Sequence, residues 1–260
     1  MKTRVNKTTR KLLSVSADAK TIKGEAQKVL TGIQYLAPAR ASGIINLCSY
    51  ASAGCKVSCL NTAGRGSFDL QVPVARLNRT IVFVRDRRKY WERLVREVEA
   101  LIRAADRRGF IPAVRLNGTS DMPWERLKIN GGKFDGMTIF EAFPGVNFYD
   151  YTKYPLATRN KLPANYHLTY SRSEDSTEEQ IAENLEHGRN VAVVFNCCVR
   201  ANRGSCHNKC KCPLPATWNG HAVISGDGSD LRFTDPEGVI VGLHAKGRAR
   251  WDTSGFVVRV

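Results

Sequence analysis

Cysteine is the residue type through which this sequence most plainly offers chemistry, and its cysteines fall into two groups. The front group, Cys48-Ser-Tyr-Ala-Ser-Ala-Gly-Cys55-Lys-Val-Ser-Cys59, has a C-x6-C-x3-C spacing that lets three thiolates surround one centre. The back group is Cys197-Cys198 followed by Cys206-His-Asn-Lys-Cys210-Lys-Cys212-Pro213. Adjacent side chains on an extended backbone diverge, so only one of Cys197 and Cys198 is expected to reach a shared metal, and Cys198 is chosen. Clustered thiolates select iron–sulfur clusters or tetrahedral zinc. The expectation is a 4Fe-4S cluster on Cys48, Cys55, Cys59, Cys198, Cys206, Cys210 and Cys212, with zinc as the alternative. A back cysteine either completes the front site or belongs to a second centre. Three protein ligands would leave one iron open to a substrate or to S-adenosylmethionine, but the C-x3-C-x2-C spacing of radical enzymes is absent.

Other chemistry-bearing residues stand just beyond short apolar runs. Arg115-Leu-Asn-Gly-Thr-Ser-Asp121 offers Arg115 and Asn117 to bind a phosphate or orient a substrate, and Asp121 as a proton acceptor. The same residues also suit an Asx-type turn with a rim ion pair. Asp150, with Tyr151 and Lys153, presents a carboxylate, a phenol and an amine together, and Glu174 follows Ser171 in the same way or joins a helix cap. Arg115, Asn117, Asp121, Asp150, Lys153 and Glu174 are the candidate catalytic residues. Arg65, in Cys59-Leu-Asn-Thr-Ala-Gly-Arg-Gly66, is placed to meet phosphate or to close a cluster pocket. Asp227, Asp230 and Asp235 lack the full calcium-loop pattern and read as turn residues.

The elements that must position these groups alternate in type. Apolar residues from Trp91 to Ala105 recur at three- and four-residue steps ahead of Gly109, predicting a helix over Arg88 to Arg108. Short strands are predicted at Ile111 to Leu116, Val146 to Tyr149, Tyr166 to Thr169 and Val191 to Phe195. Between the last two, a Ser-x-x-Glu capping box at Ser176 and a stop at Gly188 predict a helix. This alternation predicts an α/β fold, a partial or complete TIM-like barrel, with the polar runs gathered on its carboxyl rim. After Pro213, short runs separated by glycine suggest a small C-terminal β-rich elaboration. The expected organisation is a basic approach segment over residues 1–43, a cysteine-containing body over 44–213 and the elaboration over 214–260.

Forty Lys and Arg against 24 Asp and Glu leave a net charge of +16 over 260 residues. Such an excess costs self-repulsion and points to a polyanionic partner, with nucleic acid expected. Basic residues cluster at Lys2 to Lys11, Arg85 to Arg108 and Arg200 to Lys211. The apolar content of 42% can supply a core without disulfides, and the basic start lacks an apolar signal region. No run suits a membrane span, so a protein of the reducing cytoplasm is expected.

Several longer stretches carry a resemblance. Tyr35-Leu-Ala-Pro, Asn46-Leu-Cys48, Gly54-Cys55, Cys59 to Gly66, Arg115 to Asp121, Phe148-Tyr-Asp-Tyr-Thr-Lys153, Ser171-Arg-Ser-Glu174 and Val239 to Gly247 resemble the phage "gene product 88" family over most of the chain. The resemblance implies a bacteriophage origin, hence the cytoplasm of an infected host, a barrel-like α/β body and the same front cysteine loop. The back cysteines depart from the C-x2-C-x2-C form of related phage proteins. Three functions are then expected in turn: an iron–sulfur protein that binds nucleic acid, with processing of it left open, a radical or redox enzyme with an open-site 4Fe-4S cluster acting on a small substrate, and a zinc-stabilised interaction protein.

Overall fold

The structure, a computed structural model, describes residues 11–17, 19–196 and 213–260. Along the chain the elements begin with β1 (Leu13–Val15), α1 (Ala19–Glu25), β2 (Val29–Gln34), α2 (Ala53–Val57), α3 (Gln71–Arg85), α4 (Arg87–Arg108), β3 (Ile111–Arg115) and α5 (Ile139–Ala142). They continue with β4 (Asn147–Thr152), β5 (Tyr166–Ser171), α6 (Glu178–Glu186), β6 (Val191–Asn196), β7 (Thr217–Trp218), β8 (His221–Ser225), β9 (Ile240–His244) and β10 (Val257–Arg259). The chain divides into two units: Met1–Ser49 with Phe68–Asp150 and Lys161–His167, and Tyr50–Ser67 with Tyr151–Asn160 and Leu168–Val260.

In the first unit β2 pairs antiparallel with β1 and parallel with β3, and β3 pairs parallel with β4. Every residue of β2 is buried, as in a strand covered on both faces. The predicted helix is α4, which packs on β2 and β3. It starts where the Asp86 carboxylate accepts the Lys89 N–H at 3.1 Å, and it stops at Gly109, whose φ of 60° suits the left-handed cap. Its buried face carries Tyr90, Trp91, Leu94, Val98, Leu101 and Ala105. Trp91 meets Trp124 edge-on at 6.0 Å, and Phe83 meets Tyr90 at 5.0 Å. Burying each of the larger side chains contributes about 1.5–3 kcal/mol, so this face rather than propensity fixes the helix.

A polar pin joins helix to sheet. The buried Tyr90 hydroxyl donates to Gln34 Oε1, and Gln34 Nε2 donates to the Leu116 carbonyl at 3.1 Å, which holds the end of β3 beside β2. Burial pushes the Tyr90 phenol up, keeping it a donor. Gly118 closes the approach: its N–H reaches the Gln34 carbonyl at 2.9 Å, and a Cβ there would stand 2.5 Å from that oxygen.

In the second unit β6 is the centre, with β9 parallel along its full length and β8 parallel beyond β9. β7 closes that side as an antiparallel hairpin with β8. On β6's other side, β5 pairs only at Val191 and Ala192, and β10 takes over at Val194 to Asn196. One strand thus leaves and another enters along one edge, and the chain that leaves is Ser171 to Glu174. Tyr170, Ile181, Leu185, Val191, Val193, Phe195 and Ile240 form the core beneath.

The expectation of a TIM-like barrel with a C-terminal elaboration is overturned. The ten strands make mixed sheet that does not close, with antiparallel β1 and β7 as outermost strands. A barrel needs each strand paired on both sides by a regularly staggered neighbour. Here β9 inserts between β6 and β8, so the C-terminal strands belong to the sheet rather than being appended to it. The helix before β6 is present, but its capping box is Thr177 with Gln180. Ser176 is engaged instead with the Ser173 N–H and the Tyr170 hydroxyl, each at 2.9 Å.

Candidate functional site

The carboxyl end of β3 in the first unit gathers Arg115, Asn117, Asp121 and Asp150. Asp150, on β4 and with no exposed surface, accepts the Asn117 backbone N–H at 2.7 Å and the Tyr166 hydroxyl at 3.0 Å. Arg115 Nε stands 3.8 Å from the same carboxylate, and its side chain is only 4% exposed. A charge-assisted network of this kind holds an ionised carboxylate inside a protein.

Asn117 is the second organiser. Its Oδ1 accepts from Ser120 Oγ at 2.8 Å, the Met122 N–H at 2.9 Å and Trp124 Nε1 at 3.0 Å, while its amide donates to the Met122 carbonyl at 3.0 Å. Both side-chain ends are therefore committed to shaping the loop. Asp121 is buried, its N–H donates to the Leu47 carbonyl at 2.8 Å, and its backbone bridges to Cys48. Cys48 is thereby tied to the β3 loop. Its Sγ accepts the Ala39 N–H at 3.2 Å and lies 3.9 Å from the Thr119 carbonyl.

The second unit holds the remaining two front cysteines on a short turn. Ser52 caps α2 by accepting the Cys55 N–H at 3.1 Å, and Cys59 Sγ accepts the Asn61 N–H at 3.4 Å. Glu174, from the chain leaving β5, grips this turn: its carboxylate accepts the Ser52 hydroxyl at 2.8 Å and the Gly54 N–H at 2.5 Å. Gly54 is required by that grip, because a Cβ would lie 2.8 Å from both Glu174 oxygens and collide with Ser254 Oγ. Ser58 and Ser254 in turn donate to Asp252 at 3.3 and 2.7 Å. Burial acts to raise the Asp252 carboxyl, but the Val257 N–H and these hydroxyls outweigh it, and it titrates below its ordinary value. Cys55 packs on the apolar cluster of Ala245, Ala249, Phe256 and Val257.

Lys153 leans onto the same departing chain, donating to the Ser171 carbonyl at 2.9 Å, Ser171 Oγ at 3.1 Å and the Arg172 carbonyl at 3.3 Å. Arg172 fastens this chain to the start of β10 through the Gly255 and Phe256 carbonyls. Of the aspartates near β8, Asp227 accepts His244 Nδ1 at 2.6 Å and Lys246 Nζ at 2.5 Å, and Asp235 pairs with buried Arg232 at 3.1 Å. Burial would raise Asp227, yet its bonds to Lys246 and His244 hold it below its ordinary value. These two carboxylates are met by protein cations.

Cys198, Cys206, Cys210 and Cys212 lie outside the described residues. Arg65 falls in the 3-10 turn Gly64–Ser67, and its side chain is likewise outside what is described. None of Cys48, Cys55 and Cys59 is in a disulfide. Among the described residues, no group of three or more His, Cys, Asp or Glu side chains is arranged to hold a metal ion. Residues that sequence reasoning passed over are Tyr166, Ser52, Asp252 and Ser254. Only Ser52 carried a local signal, as the serine three residues ahead of Cys55.

The outer side of α4 is organised differently. Arg88 pairs with Glu92 at 3.1 Å, Arg93 with Glu97 at 3.8 Å and Arg108 with Glu25 at 2.6 Å, while Glu99 is taken by Lys133 at 2.5 Å. Lys89, Arg96, Arg103 and Arg107 are exposed, and no carboxylate among the described residues pairs with them. At 3.6 residues per turn they fall within about 40° of one another around the axis.

No helix among the described residues is long and apolar enough to cross a membrane. A family model described as Gene product 88 matches residues 6–260. No curated protein matches the chain. No solved structure matches it either.

Proposed function

Since the chain belongs to the Gene product 88 family of phage proteins, we propose that it is a phage protein that binds nucleic acid, with α4 as the contact. The observation that carries this reading is the line of Lys89, Arg96, Arg103 and Arg107, left without carboxylate partners among the described residues on a helix whose Arg88, Arg93 and Arg108 are each paired. A net charge of +16 supplies long-range attraction for a polyanion, and the line supplies a place for it to land. The test is a titration of labelled oligonucleotide at several salt concentrations. Binding that weakens steeply with salt supports the reading, and no binding at low salt overturns it.

A second reading adds a thiolate metal centre, an iron–sulfur cluster or zinc, on the cysteines. Its support is that backbone N–H groups point at the sulfurs of Cys48 and Cys59, the kind of donor that stabilises a thiolate and tunes a cluster. An apolar wall behind Cys55 would shield such a centre from water. The cluster would supply redox or Lewis-acid chemistry when bound. Anaerobically purified protein with a visible charge-transfer band that Cys55→Ala removes supports it. Colourless protein containing neither iron nor zinc overturns it.

A further inference from the structure

The geometry of α4 points to the form of nucleic acid: we infer that this helix lies along the phosphate backbone of a duplex and reads no sequence. The inference rests on the nucleic-acid reading above and narrows it.

Three features carry it. The first is spacing. Lys89, Arg96 and Arg103 follow at seven-residue steps, about 10.5 Å each along the axis, with Arg107 about 6 Å further. Phosphates recur about every 3.4 Å of axis on each strand and wind around it, so cations about 10.5 Å apart cannot share one phosphate. The line therefore spans about 27 Å and engages four phosphates separately.

The second is rigidity. α4 is capped by Asp86 at its start and Gly109 at its end, and Tyr90, Trp91, Leu94, Val98, Leu101 and Ala105 anchor its other face. A straight, fixed row of charges matches a stiff polyanion. A flexible single strand would have to be straightened against its own conformational freedom.

The third is composition. Single-strand binders stack bases on exposed aromatic side chains. Of the exposed large hydrophobic residues, including Tyr50, Phe68 and Trp251, none belongs to α4. Its aromatic residues, Tyr90 and Trp91, are buried on the opposite face. The exposed line also lacks the Asn or Gln that would read adenine and the Asp or Glu that would read cytosine. What it offers is positive charge alone.

The experiment compares a duplex of about 20 base pairs, its separated single strand and anionic phospholipid vesicles against the full-length protein. The variants are the fourfold K89Q/R96Q/R103Q/R107Q and the control Arg88→Gln, which alters a cation already paired with Glu92. Circular dichroism and melting confirm that each variant folds. Wild type is expected to favour the duplex by about tenfold or more, with little difference between duplex sequences. Its affinity should fall about a hundredfold or more between about 50 and 200 mM salt through these four contacts alone. In the fourfold variant the log–log salt slope should flatten by about 3.6, at about 0.9 per contact, and Arg88→Gln should leave it nearly unchanged. Equal or tighter binding of the single strand, or an unchanged slope in a folded fourfold variant, overturns the inference while nucleic-acid binding stands. Absence of binding to either strand form overturns both, as does capture by vesicles alone.

Discussion

Each unit of the molecule uses one carboxylate to organise a loop of candidate functional residues, and the two do it in different surroundings. In the first, Asp150 is fully buried and faces a guanidinium, a phenol and a backbone N–H. In the second, Glu174 is partly exposed and accepts from a serine hydroxyl and a glycine N–H. Desolvation separates the two cases. A buried charge is costly unless its partners stay in place, so the Asp150 network is all-or-none, whereas water can substitute in part for the partners of Glu174. The β3 loop is thus built as a fixed scaffold, and the cysteine turn as a fitted but less costly attachment.

The largest expected effect tests the first half of that contrast. Asp150→Asn should destabilise the protein by about 3–5 kcal/mol in urea unfolding, because Arg115 keeps its buried charge and loses the carboxylate facing it. A loss under about 1 kcal/mol would show that water reaches the network. Gly54→Ala addresses the second half: displacing Glu174 and Ser254 should cost about 1–3 kcal/mol, and Glu174→Ala in the same background should add little, since the grip is already broken. Tyr166→Phe removes one donor from Asp150 and should cost about 1–2 kcal/mol, with a smaller cost if Phe140, stacked on the ring at 4.3 Å, holds its place.

The smallest effect is the pH dependence that the second unit contributes. Asp227 and Asp252 titrate below their ordinary values in the folded protein. Their contribution to stability is therefore present above the unfolded carboxyl value of about 3.9 and is lost as pH falls through the folded values. Asp235 has the opposite sign, since burial raises its carboxyl more than Arg232 lowers it, and protonation favours its folded form. Urea midpoints from about pH 5 down to pH 3 should fall, and the fall should be shallower in Asp227→Asn. An unchanged profile in that variant would remove Asp227 from the account.

Local features were the legible ones. α4 was predicted because its apolar spacing, its stop at Gly109 and its basic outer face all lie within one stretch of sequence. The Arg115 to Asp121 run was recognised as a polar loop at a strand end, and the structure brings four of the six candidate catalytic residues together there. The capping box was placed one residue early, because the competing bonds of Ser176 to Ser173 and Tyr170 depend on how β5 leaves the sheet. The open sheet was missed for a related reason. Alternating strands and helices describe a barrel and an open sheet equally well, and the insertion of β9 between β6 and β8 has no local signature.

By itself the sequence determined the basic amphipathic helix, the two cysteine groups and the family, because periodicity, residue type and motif length are properties of the chain read in order. Only the tertiary structure decided which charges remain unpaired on α4, that Asn117 is spent on shaping its own loop, and that Glu174 holds the turn of Cys55 from 120 residues away. Those outcomes depend on which groups lose water together, and burial is shared between segments that the sequence keeps apart.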